Sequence, residues 1–235
     1  MHLKSVTLQT TKYPSKDFYP FNLAVLQKTK HLAFKTPVTL FVGENGSGKS
    51  TLLQAISYAC GIHIWQEADR VRFNANYYED RLCDYLSVEW SDGRILGSFF
   101  GSDVFRHFRQ LVDEWAAADP GQLDFFGGKS LMTQSHGESL MSFFRSRYRI
   151  KGLYLLDEPE TALSPGNQLK LLEFMTEVSD GGGAQFIIAT HSPIIMACPH
   201  ALIYDFDQHP VRPVEYEETE HYRIYKKFFQ DRRKS

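Results

Sequence analysis

The sequence predicts an α/β fold with a mainly parallel core sheet, an antiparallel β patch and a small helical lobe, and three observations lead there. Residues 38–42, Val-Thr-Leu-Phe-Val, form a short continuous apolar run, as a strand covered on both faces of a parallel sheet should. They run into Gly43-Glu44-Asn45-Gly46-Ser47-Gly48-Lys49-Ser50 and then into a helical pattern carrying Leu52, Leu53 and Ile56, with Gly61 as its stop. Two further apolar runs, 152–156 and 185–190, flank a helix opened by Ser164-Pro165, which makes a β-α-β unit. Residues 86–90 and 94–100 alternate in character around Asp92-Gly93 and read as an antiparallel hairpin.

The glycine-rich octet matches G-x-x-x-x-G-K-[ST] at every fixed position, between the strand and helix that this loop requires, so the fold is expected to be that of a P-loop NTPase. The glycines let the backbone turn tightly and aim several N–H donors inward, and the helix N-terminus adds partial positive charge for the same phosphates. The candidate nucleotide-binding residues are Gly43, Glu44, Asn45, Gly46, Ser47, Gly48, Lys49, Ser50 and Thr51. Lys49 would reach the β and γ phosphates and the Ser50 hydroxyl would ligate Mg²⁺, so ATP with Mg²⁺ is the expected ligand.

In chain order, residues 1–37 read as one or two strands around an aromatic link with Tyr13, Phe18, Tyr19 and Phe21, broken by Pro14 and Pro20. Tyr19 and Phe21 are the candidates for stacking on a base, although aromatics placed before a core strand also pack beneath it. Residues 102–118 put Val104, Phe108, Leu111 and Trp115 on one helical face, and 119–134 are loop-like. A helix through Tyr148 follows Gln134-Ser135-His136-Gly137-Glu138, where Ser135 and Gly137 either meet phosphate or serve as a plain capping box completed by Glu138. This lobe spans about 102–150 within a single domain covering 1–235.

The run through Leu156 ends in Asp157-Glu158-Pro159-Glu160, and a parallel sheet brings its strands' carboxyl ends to the ligand. Asp157 suits Mg²⁺ and Glu158 suits a general base. The helix after Ser164-Pro165 takes Leu169, Leu171, Leu172, Phe174 and Met175 as its apolar side, and the next strand delivers His191 to the same edge. Residues 201–206 and 211–216 look like edge strands, and 220–230 like a closing helix with a basic run, the usual mark of a solvated terminus.

A net charge of -2 and a pI near 6.5 give no global attraction to nucleic acid or to an anionic membrane, so either contact needs a local patch. Arg145, Arg147, Arg149 and Lys151 are the dense basic stretch near the 135–148 helix, which reads first as a solvated helix side feeding into the next strand and otherwise as a place where DNA could dock. Three scattered cysteines suggest neither a disulfide framework nor a zinc site, and no run approaches the roughly 18 apolar residues of a membrane helix. A cytoplasmic protein is expected; at a membrane, another chain would supply the span.

The order of these motifs resembles the ABC-type ATPases, and within them the short stand-alone group akin to chromosome-maintenance and recombination heads. GENGSGKS is similar to Walker A, SHGES to the L-S-G-G-Q signature, YLLDEPE to Walker B and ATHSP to the switch-histidine loop. The resemblance spans nearly the whole chain and implies an ATP-dependent homodimer, head to tail. ATP would lie between Lys49 of one copy and Ser135 and Gly137 of the other, with Glu158 as general base and His191 on the γ-phosphate. Gln134, His136 and Glu138 depart from the signature, Ser164 stands in place of an aspartate, and 98–102 hold no lid glutamine. With only about 86 residues between Lys49 and Ser135, no long coiled-coil arm fits. The implied function is an ATP-hydrolysing, dimerising switch, with DNA maintenance or anti-phage defence as outputs. The alternatives are the nucleotide-binding subunit of a transporter and a nucleotide-gated interaction module.

Overall fold

The computed structural model describes residues 1–64, 76–101 and 136–232, together with 113, 114, 116, 117, 119, 121 and 123. Ser135 and nearly all of the helix and loop expected over 102–134 lie outside the described residues. The strands are β1 (Leu3–Leu8), β2 (His31–Ala33), β3 (Val38–Val42), β4 (Leu86–Trp90), β5 (Gly97–Gly101), β6 (Gly152–Asp157), β7 (Ala184–Ala189), β8 (Leu202–Asp205) and β9 (Arg212–Val214). The helices are α1 (Ala24–Lys28), α2 (Lys49–Ala59), α3 (His136–Arg147), α4 (Pro165–Asp180), α5 (Pro193–Met196) and α6 (Glu220–Arg232).

Among the described residues the strands form two sheets. The larger runs β5-β6-β7-β3-β8-β9, parallel throughout except for the antiparallel β8–β9 pair. The smaller, β2-β1-β4, is antiparallel. Every residue of β3 and β7 is buried, because both faces of the parallel sheet are covered. On one face Phe41, Leu155, Ile187 and Tyr204 pack against Leu52, Leu53 and Ile56 of α2 and against β1. On the other, Leu40, Leu156, Phe186 and Ile188 pack against Leu140 and Phe144 of α3 and Leu171 and Met175 of α4. Gln185, fully buried at the start of β7, joins the two sheets: its Oε1 accepts from the backbone N–H of His2 and Leu3 at 2.8 Å, and its Nε2 donates to the Leu3 carbonyl.

Three expectations need correction. Residues 86–100 are not a hairpin: β4 pairs with β1 while β5 pairs in parallel with β6. Asp92-Gly93 does turn the chain, with Gly93 at φ +97°, but Phe99 and Phe100 then bury into the two opposite faces of the core. A strand apolar on both sides belongs inside the parallel sheet, and Gly97 lets it close in, since a Cβ there would sit 2.3 Å from the Leu153 carbonyl. β8 is likewise not an edge, being paired with β3 and β9; of these two, only β9 is at the edge. Leu169 is exposed, because the buried stripe of α4 runs through Leu171, Phe174, Met175 and Ser179 and leaves Leu169 on the outer face.

Candidate functional site

The parallel register sets the carboxyl ends of β3, β6, β7 and β8 level: Phe41 pairs with Ala189 and Tyr204, and Asp157 with Ala189. The loops leaving these ends therefore converge. The Gly43–Ser50 loop leads into α2, whose N-cap is Gly48 at φ +99°. An L side chain rarely adopts that left-handed conformation, which turns the N–H groups of the helix start into the loop. Lys49 is buried, and its ammonium donates to the carbonyls of Gly43 and Glu44 at 2.8 Å and to Ser47 Oγ at 3.3 Å. Burial pushes the Lys49 pKa down, opposed by the nearby carboxylates of Glu158, Asp207, Asp157 and Glu44.

Ser50 Oγ donates to Asp157 Oδ1 at 2.7 Å, so the two oxygens expected to hold Mg²⁺ are side by side. Burial pushes the Asp157 carboxyl up to about 6, against the lowering effects of the Ser50 bond and of Lys49. Among the described residues no three of His, Cys, Asp and Glu cluster as a metal-ligand set. One carboxylate and one hydroxyl suit Mg²⁺, which keeps waters and substrate phosphates as its other ligands.

Glu158 has a left-handed backbone, φ 46° and ψ 54°, unusual for a non-glycine residue and held by its N–H bond to the Ala189 carbonyl at 2.9 Å. Its carboxylate lines a crevice of about 160 Å³ shared with Tyr19, Leu23, Asn45, Gly46, Gly48, Lys49, Ser50 and Thr51. A larger recess of about 450 Å³ lies at the amino end of β8, away from all these groups; the convergent chemistry favours the smaller one. Glu158 Oε1 also lies 3.6 Å from His191 Nε2, a buried atom with no hydrogen-bond partner among the described residues. Burial, then Lys49, pushes the His191 pKa down, which keeps the imidazole neutral at pH 7. A buried imidazole nitrogen without a partner, beside the loop and the carboxylates, fits a phosphate oxygen.

The base-stacking candidates separate. Phe21 is fully buried against Tyr13 and Tyr85, with ring centroids at 4.8 and 5.3 Å, and cannot stack on a base. Tyr19 is exposed at the crevice mouth, its hydroxyl 2.8 Å from Thr51 Oγ1. Gly137 opens α3 against α4, where a Cβ would fall 2.5 Å from Asn167 Nδ2. The structure therefore brings Gly43 to Thr51, Asp157, Glu158 and His191 together, and leaves Gly137 in a separate contact.

Four contributors escaped the sequence. Asp207 accepts the Glu44 N–H with both carboxylate oxygens, at 2.9 and 3.1 Å. The signal was present, since 204–207 repeat the pattern of carboxylates closing an apolar strand seen at 156–158, but reading 201–206 as an edge hid it. Glu160 Oε1 accepts the His191 backbone N–H, and Ser192 caps α5 while donating to Gln168 Oε1 at 2.6 Å; together they fix the loop that carries His191. His221, from α6, sets its Nε2 3.3 Å from His191 Nδ1, and no local pattern could announce a partner 30 residues away.

Comparison with known proteins agrees with this geometry. A family model described as "AAA domain" matches residues 16–79, and one described as "AAA domain, putative AbiEii toxin, Type IV TA system" matches residues 140–197. A thiamine import ATP-binding protein of Ruegeria sp. (strain TM1040) is 26% identical over 163 residues, covering 65% of this chain and 69% of that protein. Among solved structures, an ATP-binding cassette of an ABC transporter in its ADP conformation superposes with a TM-score of 0.53 at 15% identity, covering 96% of this chain and 98% of that one. The SmcHead bound to the C-winged helix domain of ScpA reaches 0.50 at 14% identity, covering 91% and 97%. The fold is that of the ABC-type ATPase cassettes and heads, as the four motifs indicated.

Proposed function

We propose that this chain binds Mg²⁺-ATP and hydrolyses it as a cytoplasmic switch whose two copies close head to tail around the nucleotide. The observation that carries the reading is the convergence of Lys49, Ser50, Asp157, Glu158 and His191 on one sheet edge. The loop N–H groups and Lys49 bind the phosphates, Ser50 and Asp157 hold Mg²⁺, and His191 contacts the γ-phosphate. Glu158 accepts the proton of the attacking water. When bound, Mg²⁺ neutralises charge developing on the phosphoryl oxygens. Gly137, in the first turn of α3, and Ser135, two residues before it in sequence, complete the site from the second copy.

Glu158→Gln and Lys49→Ala, sedimented with and without Mg²⁺-ATP, test this. Glu158→Gln is expected to retain ATP uncleaved and run as a dimer, while Lys49→Ala stays monomeric. A Glu158→Gln protein that hydrolyses ATP at the parent rate, or stays monomeric with ATP bound, overturns the mechanism. DNA maintenance or defence is the output we favour, supported by the toxin description of the model matching 140–197. A DNA contact at Arg145, Arg147, Arg149 and Lys151 is supported by their exposure, although Arg149 already pairs with Glu177 at 2.9 Å. Duplex binding across a salt series, with all four changed to alanine, tests it. The reading as a transporter subunit has the support of the thiamine-import relative, and co-purification with a membrane permease would favour it.

A further inference from the structure

Helix α6 is attached to the rest of the chain through its first turn. Thr219 is buried and accepts the backbone N–H of Tyr222 on its hydroxyl and that of Arg223 on its carbonyl. The Tyr222 ring packs on Tyr216 at 4.8 Å, and His221 meets His191. Beyond Tyr222 every described residue is exposed, and α6 has no buried residue at all. Exposed there are Ile224 (56%), Tyr225 (45%), Phe228 (57%) and Phe229 (59%), four of the large apolar side chains that the fold leaves in water.

Their placement is ordered. At the helical period Ile224, Phe228, Tyr225 and Phe229 occupy one continuous arc of about 140°. Arg223, Lys226 and Lys227 fall on the remaining arc, Lys226 toward its Phe229 side and Lys227 toward its Ile224 side, with Asp231 between Lys227 and Ile224. Arg232, in the last turn, falls on the apolar arc beyond Phe228 and Phe229, and Arg233 and Lys234 follow in sequence. Residues 220–235 thus hold six cations against Glu220 and Asp231, in a chain whose total charge is -2. This is the local patch that the overall composition could not reveal.

We propose that α6 docks on an anionic phospholipid surface, lying flat with Ile224, Tyr225, Phe228 and Phe229 sunk between headgroups and Lys226 and Lys227 reaching the phosphates on either side. Segregation of charge from aromatics decides the occupant. A site for single-stranded nucleic acid needs cations on the same surface as its stacking rings, so that one strand meets both. Here the rings share one arc and Arg223, Lys226 and Lys227 lie off it, with Arg232 meeting the arc only in the last turn, the arrangement of an interfacial helix whose lysines extend along its sides to headgroups. A second copy would bring a like-charged helix against this one. The proposal is independent of the hydrolytic mechanism, and because the first turn of α6 carries His221 against His191 it would seat the His191 edge near the membrane surface.

The experiment is co-sedimentation of the whole protein with vesicles of phosphatidylcholine alone and of phosphatidylcholine mixed with phosphatidylglycerol, across a salt series. Partition is expected on the mixed vesicles, weakening as salt rises. Phe228→Ser with Phe229→Ser is expected to lower the partition at least about tenfold, and Lys226→Gln with Lys227→Gln by a similar factor on mixed vesicles only. All four residues are exposed, so neither pair disturbs the core. No partition on mixed vesicles at low salt, or partition untouched by the aromatic pair, overturns the proposal. It is overturned too if the aromatic pair instead abolishes self-association, or binding of single-stranded DNA, in a protein that ignores vesicles.

Discussion

At the carboxyl edge of the parallel sheet, Lys49, Asp157, Glu160 and His191 are polar groups drawn out of water, whereas along α6 Ile224, Tyr225, Phe228 and Phe229 are apolar groups left in it. The first region offsets its desolvation with named partners: Ser50 on Asp157, the loop carbonyls on Lys49, the His191 backbone on Glu160. Among the described residues the second has ring contacts within its own aromatics, Tyr225 with Phe229 and Phe228 with Phe229. Both carry a cost that folding alone does not explain. Where a sheet edge holds charge at raised or lowered pKa, chemistry is the expected return; where a helix holds out rings, a surface is.

The largest test of the contrast is Glu158→Gln. Its hydrolysis rate is expected to fall about 10²- to 10⁴-fold at nearly unchanged nucleotide affinity, because the amide cannot take the water's proton. Single-turnover measurement beside a nucleotide-binding titration reads both; the Phe228/Phe229 pair should leave both unchanged. Next in size is Phe186→Ala, which empties a fully buried site between α4, Tyr148 and Tyr154 and is expected to cost about 3–5 kcal/mol in urea unfolding.

Asp157→Asn should act in the opposite direction. With the folded carboxyl pushed up to about 6, ionisation is disfavoured in the fold. The stability linked to its proton is present below the ordinary carboxylate pKa of about 3.9 and is lost as pH rises through about 6. Without nucleotide, the Asn variant should therefore be more stable than the parent by about 2 kcal/mol at pH 8, and the difference should close by about pH 4. Melting curves at both pH values check the sign. A variant less stable than the parent at pH 8 would mean that the ionised carboxylate holds the loop together. The smallest effect is Phe228→Ala, expected within about 0.5 kcal/mol of the parent, since an exposed ring has little burial to lose. A cost near that of Phe186→Ala would show α6 packed in solution and would weaken the lipid proposal.

Much of the site was legible because its information is local. A glycine loop needs its own glycines at fixed spacing, an apolar run buried on both faces identifies β3, β6 and β7, and Ser164-Pro165 with Asp180-Gly181 bounds α4 as the structure has it. Parallel strands bring their carboxyl ends to one edge, so Asp157, Glu158 and His191 could be grouped before any coordinates. The pairing of strands was another matter. A turn states where the chain reverses but not which sheet receives the next strand, and Phe99 and Phe100, burying into opposite faces, sent β5 to β6 instead of back to β4. Phe21 and Tyr19, two residues apart, read alike as candidates until packing put one in the core and the other at the crevice. The pairing of Asp207 with Glu44 was decided by tertiary structure, although the carboxylate closing its strand stands in the sequence, and Glu160 under His191 and His221 beside it were decided by tertiary structure alone. Each is a hydrogen bond between separate segments, whose geometry comes from strand register and helix placement rather than from the residues around it.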